Sequence, residues 1–121
     1  MNIRLRIQNV ALVLVGVAGL LSKSWFRNSG NSLAHAYLGN VAASFAVFFI
    51  VALATAPKLQ RIWIAAIALT IVEAFELTNG FGVMTNVYDP FDYLANSLGI
   101  ILAYCVDLAA AYIIRARSPI N

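Results

Sequence analysis

The stretch "YDPFDYLANSLG", Tyr88 to Gly99, sets two aspartates and an asparagine at the head of a segment whose remainder is built for lipid. Its opening reads as a helix start. Asp89 stands as N-cap and Pro90 at the first helical position, where a missing N–H costs nothing. Asp92 comes third, where a carboxylate meets free backbone N–H groups. Asn96 has no such use. At 100° per residue, Asp92, Asn96, Gly99, Ala103 and Asp107 fall on one stripe of polar and small side chains. That stripe cannot face hydrocarbon, where an acid at mid-depth costs about 2.5 to 3.5 kcal/mol even on the gentlest scale. It has to face other helices or water. Gly99 and Ala103, four apart, permit close helix approach, and Asn96 is placed to hydrogen-bond across the interface.

The rest of the chain agrees with a lipid setting. Of 121 residues, 62% are hydrophobic and only 11% charged, whereas a soluble domain is nearly half apolar and about a quarter charged. Eight Lys and Arg stand against five Asp and Glu, without the clustering that a nucleic-acid face requires. A nucleic-acid partner is set aside, and a lipid bilayer is the expected surrounding. Cys105 is the lone cysteine and lies in an apolar run, which leaves no intrachain disulfide and no cysteine metal site to argue for.

Four apolar runs cover Val10 to Phe26, Leu33 to Ala56, Ile62 to Phe81 and Phe91 to Ile114. At 1.5 Å per residue they measure roughly 25, 36, 30 and 36 Å against a hydrocarbon core of about 30 Å. The first, preceded by Arg4 and Arg6, also resembles a signal peptide, but it lacks a clear small-residue cleavage site and is read as helix one. The breaks "RNSGNS" (Arg27 to Ser32), "APKLQR" (Ala56 to Arg61) and "GVMTNVYD" (Gly82 to Asp89) are short and carry turn residues. The expectation is an all-α polytopic membrane protein. It forms an antiparallel bundle of four transmembrane helices, at about 10–26, 33–56, 62–81 and 90–114, in one domain over residues 1–121. Only helices or closed barrels carry backbone across lipid, and these lengths fit helices.

Orientation follows from the basic residues, which collect in cytoplasmic loops. With the N-terminus inside, Arg4, Arg6, Lys58, Arg61, Arg115 and Arg117 are cytoplasmic, and only Lys23 and Arg27 are outside. Both termini are therefore expected in the cytoplasm. The Tyr88 stretch then lies at the outer end of helix four, with Glu73 and Glu76 in the outer part of helix three and His35 at the outer start of helix two. Four of the five acids and the sole histidine gather at one face.

Glu73 and Glu76, three apart, project from neighbouring positions, with Thr70 a turn further inward. Two adjacent carboxyls in a dry site pair with Lys23, Arg27 or His35, or else hold a proton or a metal ion; which of these applies stays open. His35, in the first turns of a helix that Asn31 or Ser32 could cap, can serve as hydrogen-bond partner or ligand. Asn40 points about 140° from His35 and is read as a contact to a different helix, and Tyr104 falls well off the Asp92 stripe. Asp107, two turns before Arg115, is read as structural, reaching the cytoplasmic interface or a neighbouring polar group.

The order "NSLAHAY", "VEAFEL", "DPFDYLANSLG" resembles the VanZ-like membrane proteins, small helical proteins associated with resistance to the glycopeptide teicoplanin. Their pattern has Asp-Lys-x-x-His entering one helix, Glu-x-x-Gln late in another, then an Arg and Asp-x-x-x-Asn-x-x-Gly. The likeness runs from Asn31 to Val106, about two thirds of the chain. It carries over to His35, Glu73, Asp92, Asn96 and Gly99. Glu76 stands where glutamine is usual, Asn31 and Ser32 stand where Asp-Lys would be, and no arginine lies between Glu76 and Asp92. The two cations of the pattern are missing, so the cluster is acid-rich and lacks what phosphate or carboxylate recognition would want.

The resemblance implies a protein of the bacterial cytoplasmic membrane. Its outward polar cluster, His35, Glu73, Glu76, Asp92 and Asn96, would bind or act on an envelope ligand or glycopeptide, while Asp89, Pro90 and Gly99 serve structure. The alternative is a non-catalytic accessory subunit of a larger membrane complex, or a homo-oligomer, with the polar stripe spent on packing. Catalysis or ion conduction ranks last, because no nucleophile motif, phosphate loop or cofactor site is legible. No cofactor is expected.

Overall fold

The computed structural model describes residues 2–22, 25, 30, 32–55, 58–80, 82 and 89–117, without the side chains of 32–35. Within these residues the protein is all-helical. The helices are α1 (Ile3–Leu21), α2 (Ser32–Thr55), α3 (Arg61–Leu77) and α4 (Pro90–Arg117). Three of them, α1, α4 and the Ala36–Thr55 part of α2, are long and apolar enough to cross a membrane. The other, α3, has 17 residues, about 25 Å, and carries Arg61, Glu73 and Glu76. The expectation of four spans is thus met in length and composition by three.

Helix ends differ from the apolar runs for local reasons. α1 starts seven residues before Val10, because Asn2 caps it by accepting from the Arg4 N–H at 3.2 Å, and arginine and glutamine are good helix formers. It ends at Leu21, not Phe26: the Ser22 N–H returns to Ala18 O and the Ser22 hydroxyl donates to Gly19 O at 2.7 Å. α3 stops at Leu77 although the apolar run reaches Phe81. Asn79 takes φ 51° and Gly80 φ 65°; the Gly80 N–H bonds Phe75 O at 2.7 Å and the Asn79 N–H bonds Glu76 O at 3.2 Å. This left-handed close uses up the last carbonyls of the helix. α4 starts at Pro90 as expected and runs on to Arg117.

Contacts fix the directions of the helices. A Cβ on Gly16 would lie 2.8 Å from that of Ala46, and one on Gly19 would lie 3.1 Å from that of Ala42; advancing along α1 means retreating along α2, so the two are antiparallel. Between α2 and α4 the bonded pairs are Tyr37 with Asp89, Asn40 with Asp92 and Ser44 with Asn96, each 52 residues apart. A constant difference means parallel helices. α3 opposes α4, since Arg61 meets Asp107 while Glu73 meets Ser97. The chain goes up and down, with α2 touching each of the others and α1 packing, among the described residues, on α2 alone.

The core lies between α2, α3 and α4. Phe48 and Phe49 are fully buried, with ring centroids 5.1 Å apart, and Ala68 and Ala103 are at 0% exposure. Around it Ile7, Leu14, Ile67, Leu98 and Ile101 point outward, an apolar surface suited to lipid.

At Gly99 α4 lies close against α2: an added Cβ would sit 2.4 Å from the Val41 carbonyl oxygen and 2.8 Å from the Ser44 Cβ. Backbone cannot give way there, so Gly99→Ala is expected to lower stability in detergent by about 1 to 3 kcal/mol. Gly19→Ala meets only the Ala42 Cβ at 3.1 Å, and the gain in helix propensity, roughly 1 kcal/mol, offsets that. Thermal unfolding of the two variants checks the contrast; equal losses would contradict this packing.

Candidate binding site at the acidic end

The up-and-down course sends Arg4, Arg6, Lys58, Arg61, Arg115 and Arg117 to one end of the molecule, and Glu73, Glu76, Asp89 and Asp92 to the other. The fifth acid, Asp107, lies at the basic end and accepts from the Arg61 guanidinium. It reaches a neighbouring polar group, as its position before Arg115 led one to expect.

At the acidic end a seam of three side-chain hydrogen bonds joins α2 to α4. The Tyr37 hydroxyl donates to Asp89 Oδ2 at 3.0 Å, Asn40 Nδ2 donates to Asp92 Oδ1 at 2.7 Å, and the Ser44 hydroxyl reaches Asn96 Oδ1 at 3.1 Å. The seam forms because residues 37, 40 and 44 share one helix face, as do 89, 92 and 96. Ser44 has a single proton, and it is shared with Asn40 O at 2.6 Å. Asp89 does two things at once: its Oδ1 accepts from the Phe91 N–H at 2.9 Å, capping α4, while Oδ2 takes Tyr37. The Tyr37 ring meets Phe91 edge-on at 6.4 Å.

The glutamates come to this seam from α3. Asn96 and the Ser97 hydroxyl, 3.5 Å away, lie beside the Glu73 carboxyl, whose Oε2 is buried without a hydrogen-bond partner. Glu76 faces Asp92 one turn further out. Beside Glu76 a cavity of about 250 Å³ lies between the helices, lined by Asn40, Ser44 and Val47 of α2, Val72, Phe75 and Glu76 of α3, and Asn96 of α4.

The structure therefore brings Glu73, Glu76, Asp92 and Asn96 together. His35 lies in α2 at the same end, with its side chain outside the described residues, as are Lys23, Arg27 and Asn31. Pro90 opens α4 and Gly99 sits under the seam. Among the described residues no group of three or more His, Cys, Asp or Glu side chains is set to hold a metal ion. Tyr37, Asn40, Ser44 and Ser97 also belong to the site, and the angles within single helices do not place them there. Asn40 makes the contact with a different helix that its angle from His35 predicts, and that helix is α4. The missed signal was the shared i, i+3, i+7 spacing of the two polar sets, 37-40-44 and 89-92-96.

Compared with known proteins, the chain matches no family model, no curated protein and no solved structure. The chemistry of the site rests on its own residues.

The Asn40–Asp92 rung is testable by a double-mutant cycle with Asn40→Ala and Asp92→Ala. Interhelical hydrogen bonds of this kind are worth about 0.6 kcal/mol on average and up to about 1.7 kcal/mol, and a coupling within that range is expected here. Additive losses in detergent unfolding would mean the two side chains do not meet.

Proposed function

We propose that the protein is a four-span membrane protein with both termini in the cytoplasm, and that its acidic end faces outward and binds an envelope ligand. The likeness of its motifs to VanZ-like proteins points to glycopeptides as the drug concerned. The observation that carries the reading is the cavity between α2, α3 and α4, a largely apolar hole into which a few polar groups converge, which is the usual form of a small-molecule site.

The parallel course of α2 and α4 supports four spans. If both cross in one direction, the chain between Thr55 and Pro90 has to return, and α3 makes that return. Its shortfall of about 5 Å is of a size that bilayers absorb by local thinning and by flanking residues such as Arg61 reaching the interface. Six cations at the opposite end support the orientation. Conduction of protons or ions finds no support: Phe48, Phe49, Ala68, Ile100 and Ala103 fill the interior between the two polar ends.

One observation favours the accessory-subunit reading. Asp89, Asp92 and Asn96 are engaged within the chain, as a stripe spent on packing would be. Among the described residues of the cluster this leaves Glu73 and Glu76 for a ligand, and of the two Glu76 lines the cavity. In cells whose glycopeptide tolerance depends on the protein, Glu73→Gln with Glu76→Gln is expected to return susceptibility to that of cells lacking it, at an unchanged amount in the membrane. Undiminished tolerance in that double variant, together with a stoichiometric partner in mild detergent, would replace the ligand-binding reading with the accessory one.

A further inference from the structure

We infer that the cavity beside Glu76 is selective for a small organic ammonium ion carrying an apolar body of about the size of one aromatic ring. This rests on the ligand-binding reading of the same site and names the class of molecule that fits.

The hydrogen-bond inventory of the polar lining leads to the charge. Asn40 spends one of its two Nδ2 hydrogens on Asp92, and the only proton of Ser44 is taken by Asn40 O and Asn96 Oδ1. The Asn96 amide also lies against Glu73. Besides the second amide hydrogens of Asn40 and Asn96, the ionisable group that lines the cavity is the Glu76 carboxyl, with Asp92 next to it. Two carboxyls side by side carry more lone pairs than donors whether or not they share a proton, so a guest that brings N–H groups suits them, and a charged donor makes the shorter and stronger bonds. No described cation lies at this end to compete, since Arg4, Arg6, Lys58, Arg61, Arg115 and Arg117 are all at the other. An anionic guest would be repelled, and a neutral one would leave the carboxyls without a counter-charge.

The apolar lining of the cavity sets the body of the guest. Ala43, Val47, Ile71, Val72 and Phe75 offer hydrocarbon alone, which disfavours a bare or hydrated metal ion that needs six or more oxygens. An apolar hole of about 150 Å³ accepts benzene; about 250 Å³ takes a ring with a short chain and a head group. Depth agrees with this. Glu76 stands toward the end of the helices with Phe75 beside it, and Ile71, Val72 and Val47 lie one to two turns further in, so an amine enters with its ring leading.

The test uses the purified full chain in phosphatidylcholine nanodiscs, titrated calorimetrically with 2-phenylethylammonium, with its neutral isostere 2-phenylethanol and with the anion phenylacetate. Saturable one-site binding of the ammonium is expected, with the alcohol and the anion at least about tenfold weaker. Glu76→Gln is expected to weaken the ammonium by at least about tenfold. Ala43→Leu, which fills the hydrocarbon part and leaves the acids in place, is expected to abolish it. The comparison of the three compounds on the unaltered protein needs no variant to fold. Equal binding of alcohol and ammonium, or no saturable ammonium binding at all, would overturn the inference. The two levels come apart cleanly: glycopeptide tolerance that depends on Glu76 in a protein blind to the ammonium removes this inference and leaves the ligand-binding reading. Ammonium binding without any Glu76-dependent tolerance does the reverse.

Discussion

A polar side chain held away from water has to find a partner on a neighbouring helix, and the rest of this structure depends on how Asp92 and Asn96 find theirs. The α2–α4 seam keeps a constant offset through three successive pairs, so one register satisfies all of them, and a slip of either helix would break all three together. Cost asymmetry enforces that register: a made hydrogen bond gains little, while an unmade one in an apolar setting costs far more. Gly99 then lets the two backbones close up directly beneath the seam. Parallel α2 and α4 oblige α3 to run back between them, and its direction delivers Glu73 and Glu76 to the same end as Asp92.

Much of this was legible in the sequence, because the signals were strong and local. The Asp-Pro start of α4, the apolar runs and the stripe from Asp92 to Asp107 each rest on one helix's own geometry, and α4 opens at Pro90 with Asn96, Gly99 and Ala103 turned inward. The errors fell where hydropathy stood in for helix ends. Arg4 and Arg6 are polar yet helical, so α1 starts early; Asn79 and Gly80 close α3 inside an apolar run. In the site, single-helix angles located the acids but could not give Tyr37, Asn40 and Ser44 their partners. Pairing between helices is a relation of two faces, and it becomes visible only when the spacing of one is compared with that of the other.

The charge distribution links fold to function. At the basic end Arg61 and Asp107 settle each other's charge across α3 and α4. The acidic end has no such balance among the described residues: Asp89 and Asp92 are held by neutral donors, and Glu76 faces another carboxyl. A seam that packs the helices, joined from α3 by Glu73, thus sits beside Glu76, which lines the cavity. The first explains why the acids of α4 are tolerated in an apolar bundle, and the second is where a guest would be recognised.

The seam itself is most directly examined by cysteine cross-linking in a Cys105→Ser background, joining Ser44→Cys to Asn96→Cys and, as control, Ser44→Cys to Asp107→Cys. The account requires an intrachain disulfide in the first protein and none in the second. A cross-link in the second, or none in the first while it remains folded in the membrane, would contradict a parallel α2–α4 register and with it the gathering of the acids at one end.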